Sequence, residues 1–358
     1  MRRPLFAQMP PLSDHPSGEP VRLCDIAARL KVSTMTVSLA MRGAAGVSAA
    51  RVADVRRVAQ EMGYRTNAMA SALAARRWAK HAYADVTTLA WLNFWPRPEQ
   101  MRTSPIFEEN WQGMAEASSR LGYRVEEFPC GPGITPERLR SILVARGIRG
   151  VVLPPQRPPV TREQFDFDWR DFAVVRLGHS VPYPPTHLIT HSQASDTLIA
   201  FEKIVSRGYR RVGLLSTETI YHYSLFGAGF LKAQFAQPGA RRVPPLVLAD
   251  HAEPSEAVCD TINRWMRKYR PQAILSTEHN ARRLLEAAGW SVPRDVALAA
   301  TSVSSSDASA GMLESPREVG RVAAKTLIGL VQRGEFGLPE YQQDIFLRGI
   351  WTDGDTLP

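Results

Sequence analysis

A chain of 358 residues exceeds one small module and suits two or three domains with a substantial core. Its 44% hydrophobic and 22% charged residues describe a folded globular protein, and no apolar run reaches the roughly 18 to 20 residues that a membrane helix needs. The formal net charge of +9 is uneven: residues 1–85 hold 13 Lys and Arg against 6 Asp and Glu, whereas the rest hold 31 against 29. The basic footprint is N-terminal, which suits phosphate contacts to a nucleic acid, a solvated basic tail being the alternative.

Residues 1–20 read as a disordered Pro-rich tail, because Pro4, Pro10, Pro11, Pro16 and Pro20 interrupt the apolar stretch that a secretory leader needs. From Leu23 the spacing of Leu23, Ile26, Ala27 and Leu30 predicts a helix of barely two turns. Lys31-Val32-Ser33 makes a turn, with Val32 as a core plug and Ser33 as an N-cap accepting from the N–H of Met35 or Thr36. A second helix, Thr34 to Met41, packs Val37, Ala40 and Met41 inward and leaves Thr34, Met35, Thr36, Ser38 and Leu39 outward, where DNA would lie. Arg42-Gly43 ends it. Ser48 caps a third helix to Met62, whose inward stripe is Val52, Val55, Val58, Ala59 and Met62. Three short helices with a tight turn between the first two describe a helix-turn-helix, whose second helix enters the major groove.

The run from Val21 to Leu73 resembles, nearly without gaps, the DNA-binding headpiece of the LacI/GalR family of bacterial transcription regulators. The resemblance rests on Asp25-Ile26-Ala27, Val32-Ser33, Thr36-Val37-Ser38, Val47-Ser48, Gly63-Tyr64 and Asn67. It implies that Thr34 and Met35 read base edges, with Leu39 at another base-reading position that is often Arg. Leu39 lacks a guanidinium for guanine, so contact with thymine methyl groups is expected there. Arg42 supplies either part of the missing polar contact or a phosphate clamp. Ser33, Thr36, Ser38, Arg51, Tyr64 and Asn67 match family positions that contact phosphate or support that contact, which sets register rather than sequence. For Tyr64 a half-buried ring closing the bundle is the alternative.

The resemblance also places a hinge segment at Asn67 to Ala75. Ala70 and Leu73 lie three apart on one face, and Leu73 is the implied wedge into the minor groove, an ordinary helical core leucine being the alternative. Thr66 stands where the family usually has Pro, which weakens the start of the hinge helix. Arg76, Arg77 and Lys80 carry the basic character onward.

After Ala84, apolar runs alternate with amphipathic stretches: 86–92, a helix 107–121, 123–128, 150–153, 173–177, a helix 195–207, 212–215, 273–275 and 296–299. Strand alternating with helix predicts parallel sheets covered on both faces. Several joints resemble the family's periplasmic-binding-protein-like core, among them Gly147-Ile148-Arg149-Gly150, Arg207-Gly208-Tyr209, Gly229-Phe230 and Pro316 to Gly320. The expected fold is thus an all-α helix-turn-helix headpiece followed by an α/β core of two doubly wound parallel-sheet lobes. The expected divisions are the tail at 1–20, the headpiece at 21–66, hinge and linker at 67–85, and the core at 86–358. Lobe 1 takes about 86–190 and 304–335, and lobe 2 about 191–303 and 336–358.

In open α/β sheets the ligand site lies at the carboxyl ends of strands, here a cleft between the lobes. Phe226 stands where many family members have an effector-binding Arg, Glu278-His279 where Asn-Asp is usual, and Ser192-Gln193 replace a frequent Asp-Asn pair. Phe94, Trp95, Phe107, Tyr223 and Phe226 are candidates to stack on a sugar face or a flat ligand, with Glu278 and His279 as polar partners. Cleft-wall or core packing of these rings is the alternative.

No P-loop, GxSxG or HExxH motif is present, so no enzyme is expected. Cys24, Cys130 and Cys259 are too far apart for a disulfide framework or CxxC metal pattern, and read as inert thiols in a reducing cytoplasm. His187 and His191 read as part of a strand-and-loop crossover, where their spacing does not put both rings on one face. No metal or other cofactor is expected. The resulting expectation is a cytoplasmic, sequence-specific transcriptional regulator, a repressor binding a near-palindromic operator as a homodimer, with tetramers open. The resemblance implies a sugar-like effector in its cleft; the alternative is a DNA-binding regulator that has lost small-molecule sensing.

Overall fold

The computed structural model describes residues 21–42, 47–64, 87–131, 133–156, 161–166, 168–181, 183–237 and 242–358. The expected tail at 1–20 and the hinge at 67–85, with Asn67, Ala70 and Leu73, lie outside the described residues. Two compact units divide the chain, Met1–Tyr83 and Ala84–Pro358.

In the first unit, α1 is Leu23–Leu30, α2 is Thr34–Arg42 and α3 is Ala49–Glu61. The Asp25 carboxylate reaches back to the Arg22 N–H at 2.7 Å, placing a negative charge at the positive end of α1. That helix stops at Lys31, which is left-handed with φ 53°. The Lys31 N–H donates to Ala28 O and the Val32 N–H to Ala27 O, which satisfies the last carbonyls and reverses the chain. Ile26, Ala27, Val37, Ala40, Val55, Val58 and Ala59 form the buried core between the three helices, with Val32, Met41, Val52 and Met62 half-buried against it.

The second unit holds two six-stranded sheets. In the first lobe, β1 (Thr87–Asn93), α4 (Pro105–Arg120), β2 (Tyr123–Pro129), α5 (Pro136–Ala145), β3 (Gly150–Leu153), β4 (Ala173–Leu177) and β5 (His187–His191) follow in chain order. The second lobe contains α6 (Gln193–Ser206), β6 (Val212–Thr217), α7 (Glu218–Tyr223), α8 (Phe226–Ala236), β7 (Leu246–Leu248) and α9 (Glu256–Tyr269). It continues with β8 (Ala273–Ser276), α10 (Ala281–Ala287), β9 (Ala297–Ala300) and β10 (Gly311–Leu313). Then α11 (Pro316–Arg333) and β11 (Asp344–Leu347) rejoin the first lobe, and β12 (Ile350–Thr352) the second.

The sheet orders are β11-β5-β4-β3-β1-β2 and β12-β10-β9-β8-β6-β7, so both lobes repeat one doubly wound arrangement. All pairings are parallel except β10 with β12. Central strands such as β3 and β8 are buried along their whole length, which is why they read as continuous apolar runs.

Two expectations need correction. The lobe boundaries near 304 and 336 shift, because β10 returns to the second sheet and β11 adds to the first. The chain therefore crosses between lobes just after His191, after Leu313 and after Leu347. The Gly311-Met312-Leu313 strand is too short to show a period, and it follows a Ser-rich run that reads as a connection. His187 and His191 also both belong to β5, where residues i and i+4 lie on the same face of the strand.

Helix contact in the core depends on glycines that the sequence places in register. A Cβ at Gly320 of α11 would overlap the Asn110 carbonyl oxygen of α4, and one at Gly113 would overlap the Arg317 carbonyl. Backbone meets backbone there, and a pairing of Arg317 with Glu116 reinforces the contact. Gly229 of α8 similarly lets α6 approach, since its Cβ would sit 2.6 Å from Ala194 O.

Candidate nucleic-acid interface and interlobe cleft

The start of α2 is set by Ser33. Its Oγ accepts from the Thr36 N–H at 3.1 Å and shares a 2.8 Å hydrogen bond with the Thr36 hydroxyl. This leaves the first turn of α2 ordered without an acidic group, a surface that a phosphate backbone can approach. Helical spacing aligns Thr34 with Ser38 and Met35 with Leu39, away from the buried Val37 and Ala40. Thr34 and Met35 are exposed, Met35 to 53%, while Thr36, Ser38 and Leu39 are half-buried.

Arg42 is the last residue of α2, with its side chain outside the described residues. Arg51 is exposed in the first turn of α3, where its backbone N–H is capped by Ser48 Oγ at 3.4 Å. Tyr64 packs half-buried against the helical core.

The carboxyl ends of the two sheets carry the other candidate site. On the first lobe β1 runs into Asn93-Phe94-Trp95, and buried amides that sequence reasoning missed hold this turn. Asn93 donates to Pro98 O at 2.9 Å and Glu127 Oε1 at 2.6 Å, and accepts from the Trp95 N–H at 2.9 Å. Gln156 donates to Leu92 O and Pro154 O and accepts from the Phe94 N–H at 3.0 Å. The turn after β1 is thereby tied to the turn after β3.

The expected effector residues are divided between the lobes, Phe94, Trp95 and Phe107 on the first and Tyr223, Phe226, Glu278 and His279 on the second. Phe94 and Trp95 are buried in separate hydrophobic cores, Phe94 against Phe165 at 4.5 Å and Trp95 edge-on to the half-buried Phe107 at 5.5 Å. Glu278 is buried in the second lobe and accepts from the Thr277 hydroxyl at 3.1 Å, whereas His279 is exposed. Phe226 opens α8 half-buried; Tyr223 ends α7, and its side chain lies outside the described residues. One cavity of about 350 Å³ opens beside Phe94, Cys130, Ile134 and Glu163, all on the first lobe. Its Cys130 thiol is pushed up to about 12 by burial, so it is inert as a nucleophile.

Residues 22–67 match the family model of bacterial regulatory proteins of the lacI family, and residues 201–342 match that of periplasmic binding protein-like domains. The chain belongs to the LacI family. It is a DNA-binding transcriptional regulator built on a helix-turn-helix and a periplasmic-binding-protein-like core, and at family level a regulator rather than an enzyme.

Solved structures share this fold. The lac repressor dimer bound to operator and the anti-inducer ONPF superposes with TM-score 0.56 at 17% identity, covering 95% of this chain and 99% of that one. The complex of the transcriptional regulator CelR with cellobiose gives 0.55 at 18% identity, covering 94% and 99%. A periplasmic binding protein/LacI transcriptional regulator from Alkaliphilus metalliredigens QYMF, complexed with D-xylulofuranose, gives 0.53 at 15% over 76% and 99%. No curated protein matches this LacI-family chain in sequence. No helix among the described residues is long and apolar enough to cross a membrane.

Proposed function

We propose that this regulator is a cytoplasmic repressor that binds a near-palindromic operator as a homodimer and reads it through the exposed edge of α2. The observation that carries this reading is the outward placement of Thr34 and Met35 at the Ser33-capped start of a helix whose other face is buried. Leu39, one turn on, adds apolar contact, so discrimination rests on thymine methyl groups more than on guanine. Ser33, Thr36, Ser38, Arg51 and Tyr64 position the module on phosphate, with Arg42 at the end of α2. Asn67, Ala70 and Leu73 complete the interface as a hinge in the minor groove. A symmetric site recovered from random DNA, then measured by fluorescence anisotropy, tests this. Binding that tracks salt but not sequence would refute it.

A small-molecule effector, sugar-like in chemistry, is assigned to the cleft between the lobes. The lac repressor, CelR and D-xylulofuranose complexes support it, because each pairs this fold with a small ligand. The second reading, regulation without small-molecule sensing, is favoured by the burial of Phe94, Trp95 and Glu278 within their own lobes. A thermal-shift screen with sugars and nucleosides separates the two, since a ligand of the folded state raises stability by mass action. A hit that also alters operator affinity supports sensing; operator binding indifferent to every compound supports the second reading.

A further inference from the structure

Three ionisable side chains far apart in sequence meet where the chain passes between lobes. His191 closes β5 on the first-lobe side, Asp196 lies in the first turn of α6 on the second-lobe side, and Glu314 follows β10 on the second crossover. Their donor atoms all lie within 4.8 Å of one another. The third crossover closes the group: the Gly349 N–H donates to the two Asp196 carboxylate oxygens at 3.2 and 3.1 Å.

Both ring nitrogens of His191 are shut off from solvent and have no hydrogen-bond partner. A buried imidazole has a lone pair to satisfy, and native structures seldom leave one unmet without an ion, a water or a functional reason. Asp196 is fully buried, and among the described residues no Lys or Arg is ion-paired with it or with Glu314. The Arg348 cation acts on Asp196 electrostatically, but no cation is ion-paired within the cluster among the described residues.

We propose that His191, Asp196 and Glu314 form a site for one divalent transition-metal cation that joins the interlobe crossovers. Two carboxylates balance a dication, and the neutral imidazole supplies the nitrogen donor that favours Zn²⁺ or a neighbouring ion over Mg²⁺ and Ca²⁺. Donors at about 2.0–2.2 Å from such an ion draw the three side chains closer together. The Gly349 N–H orients the Asp196 carboxylate from outside, the role of an outer-shell partner. Because His191 belongs to the first lobe and Asp196 to the second, occupancy fixes the lobes against each other at their pivot.

The test uses the full chain, stripped with EDTA and titrated with ZnCl₂ by isothermal titration calorimetry. Uptake of one ion per chain is expected, weakening as pH falls because the ligands must lose protons. Glu314→Gln and His191→Ala are each expected to weaken it at least tenfold, with MgCl₂ giving no comparable signal. Anomalous scattering from a Zn²⁺-soaked crystal locates the ion without any variant, and so decides the matter where a variant fails to fold. Density among the three side chains supports the site. Absence of one-to-one uptake, undiminished uptake in both folded variants, or anomalous density only elsewhere would overturn it.

Discussion

Replacing Ile26 with Ala separates the two units of this regulator. Ile26 is fully buried at the centre of the small core formed by α1, α2 and α3. The change removes apolar groups worth about 0.8 kcal/mol per buried methylene, and with the residual cavity the loss is roughly 2–5 kcal/mol. A core of this size rarely supplies more than about 3–5 kcal/mol, so the substitution removes most of the headpiece's stability. Even the lower bound changes the folded-to-unfolded ratio by about 30-fold. The second unit keeps its own cores, with Trp91, Met114 and Leu327 in one and Leu215, Ile262 and Ile274 in another. Hydrogen exchange followed by mass spectrometry should show protection lost in α1 to α3 and retained from β1 onward, with specific DNA affinity reduced more than tenfold. Parent-like protection of α1 to α3 together with parent-like affinity would refute the assignment of these helices as an independent, marginal DNA-binding unit.

Other substitutions probe single contacts. Ser33→Ala removes the cap on α2 and should cost about 1 kcal/mol of headpiece stability, read as a lower unfolding midpoint, with the salt slope of DNA binding unchanged. Gly320→Ala forces a Cβ onto the Asn110 carbonyl and should destabilise the core by about 1–3 kcal/mol or more in denaturant titration; an unchanged midpoint would show that α4 and α11 do not touch there. Gln156→Leu strands the Leu92 and Pro154 carbonyls and the Phe94 N–H, at about 1–3 kcal/mol for each group left unpaired, again read by denaturant titration. With iodoacetamide at pH 8, the exposed Cys24 should react promptly and Cys130 only on unfolding, since burial holds its thiol up at about 12; fast labelling of Cys130 in the folded chain would contradict its placement.

Much of the headpiece was legible because its signals are local. The Ser33 cap, the turn through Val32 and the inward Val37 and Ala40 depend on residues within a few positions of one another. The alternation of strands and helices in the core was equally readable from apolar runs. What the sequence hides is convergence across the chain. Gln156, in the turn after β3, holds the turn after β1, whose Phe94 and Leu92 lie 62 and 64 positions from it, and polar residues carry no period that would announce the contact. The three-residue β10 offers too little length for any pattern, which moved the expected lobe boundary. Burial of Phe94 and Trp95 could not be read either, because a ring in a core and a ring facing a cleft have the same local sequence. The meeting of His191, Asp196 and Glu314 exists only once the crossovers are folded together.

The central claim, sequence reading by the exposed start of α2, is tested most directly by selecting binding sites from random DNA with the parent chain and with Met35→Ala. The account expects the parent to return one near-palindromic site, and Met35→Ala to return a site changed at symmetric positions within the half-sites. The same site from both proteins, or no enriched sequence from the parent, would contradict it.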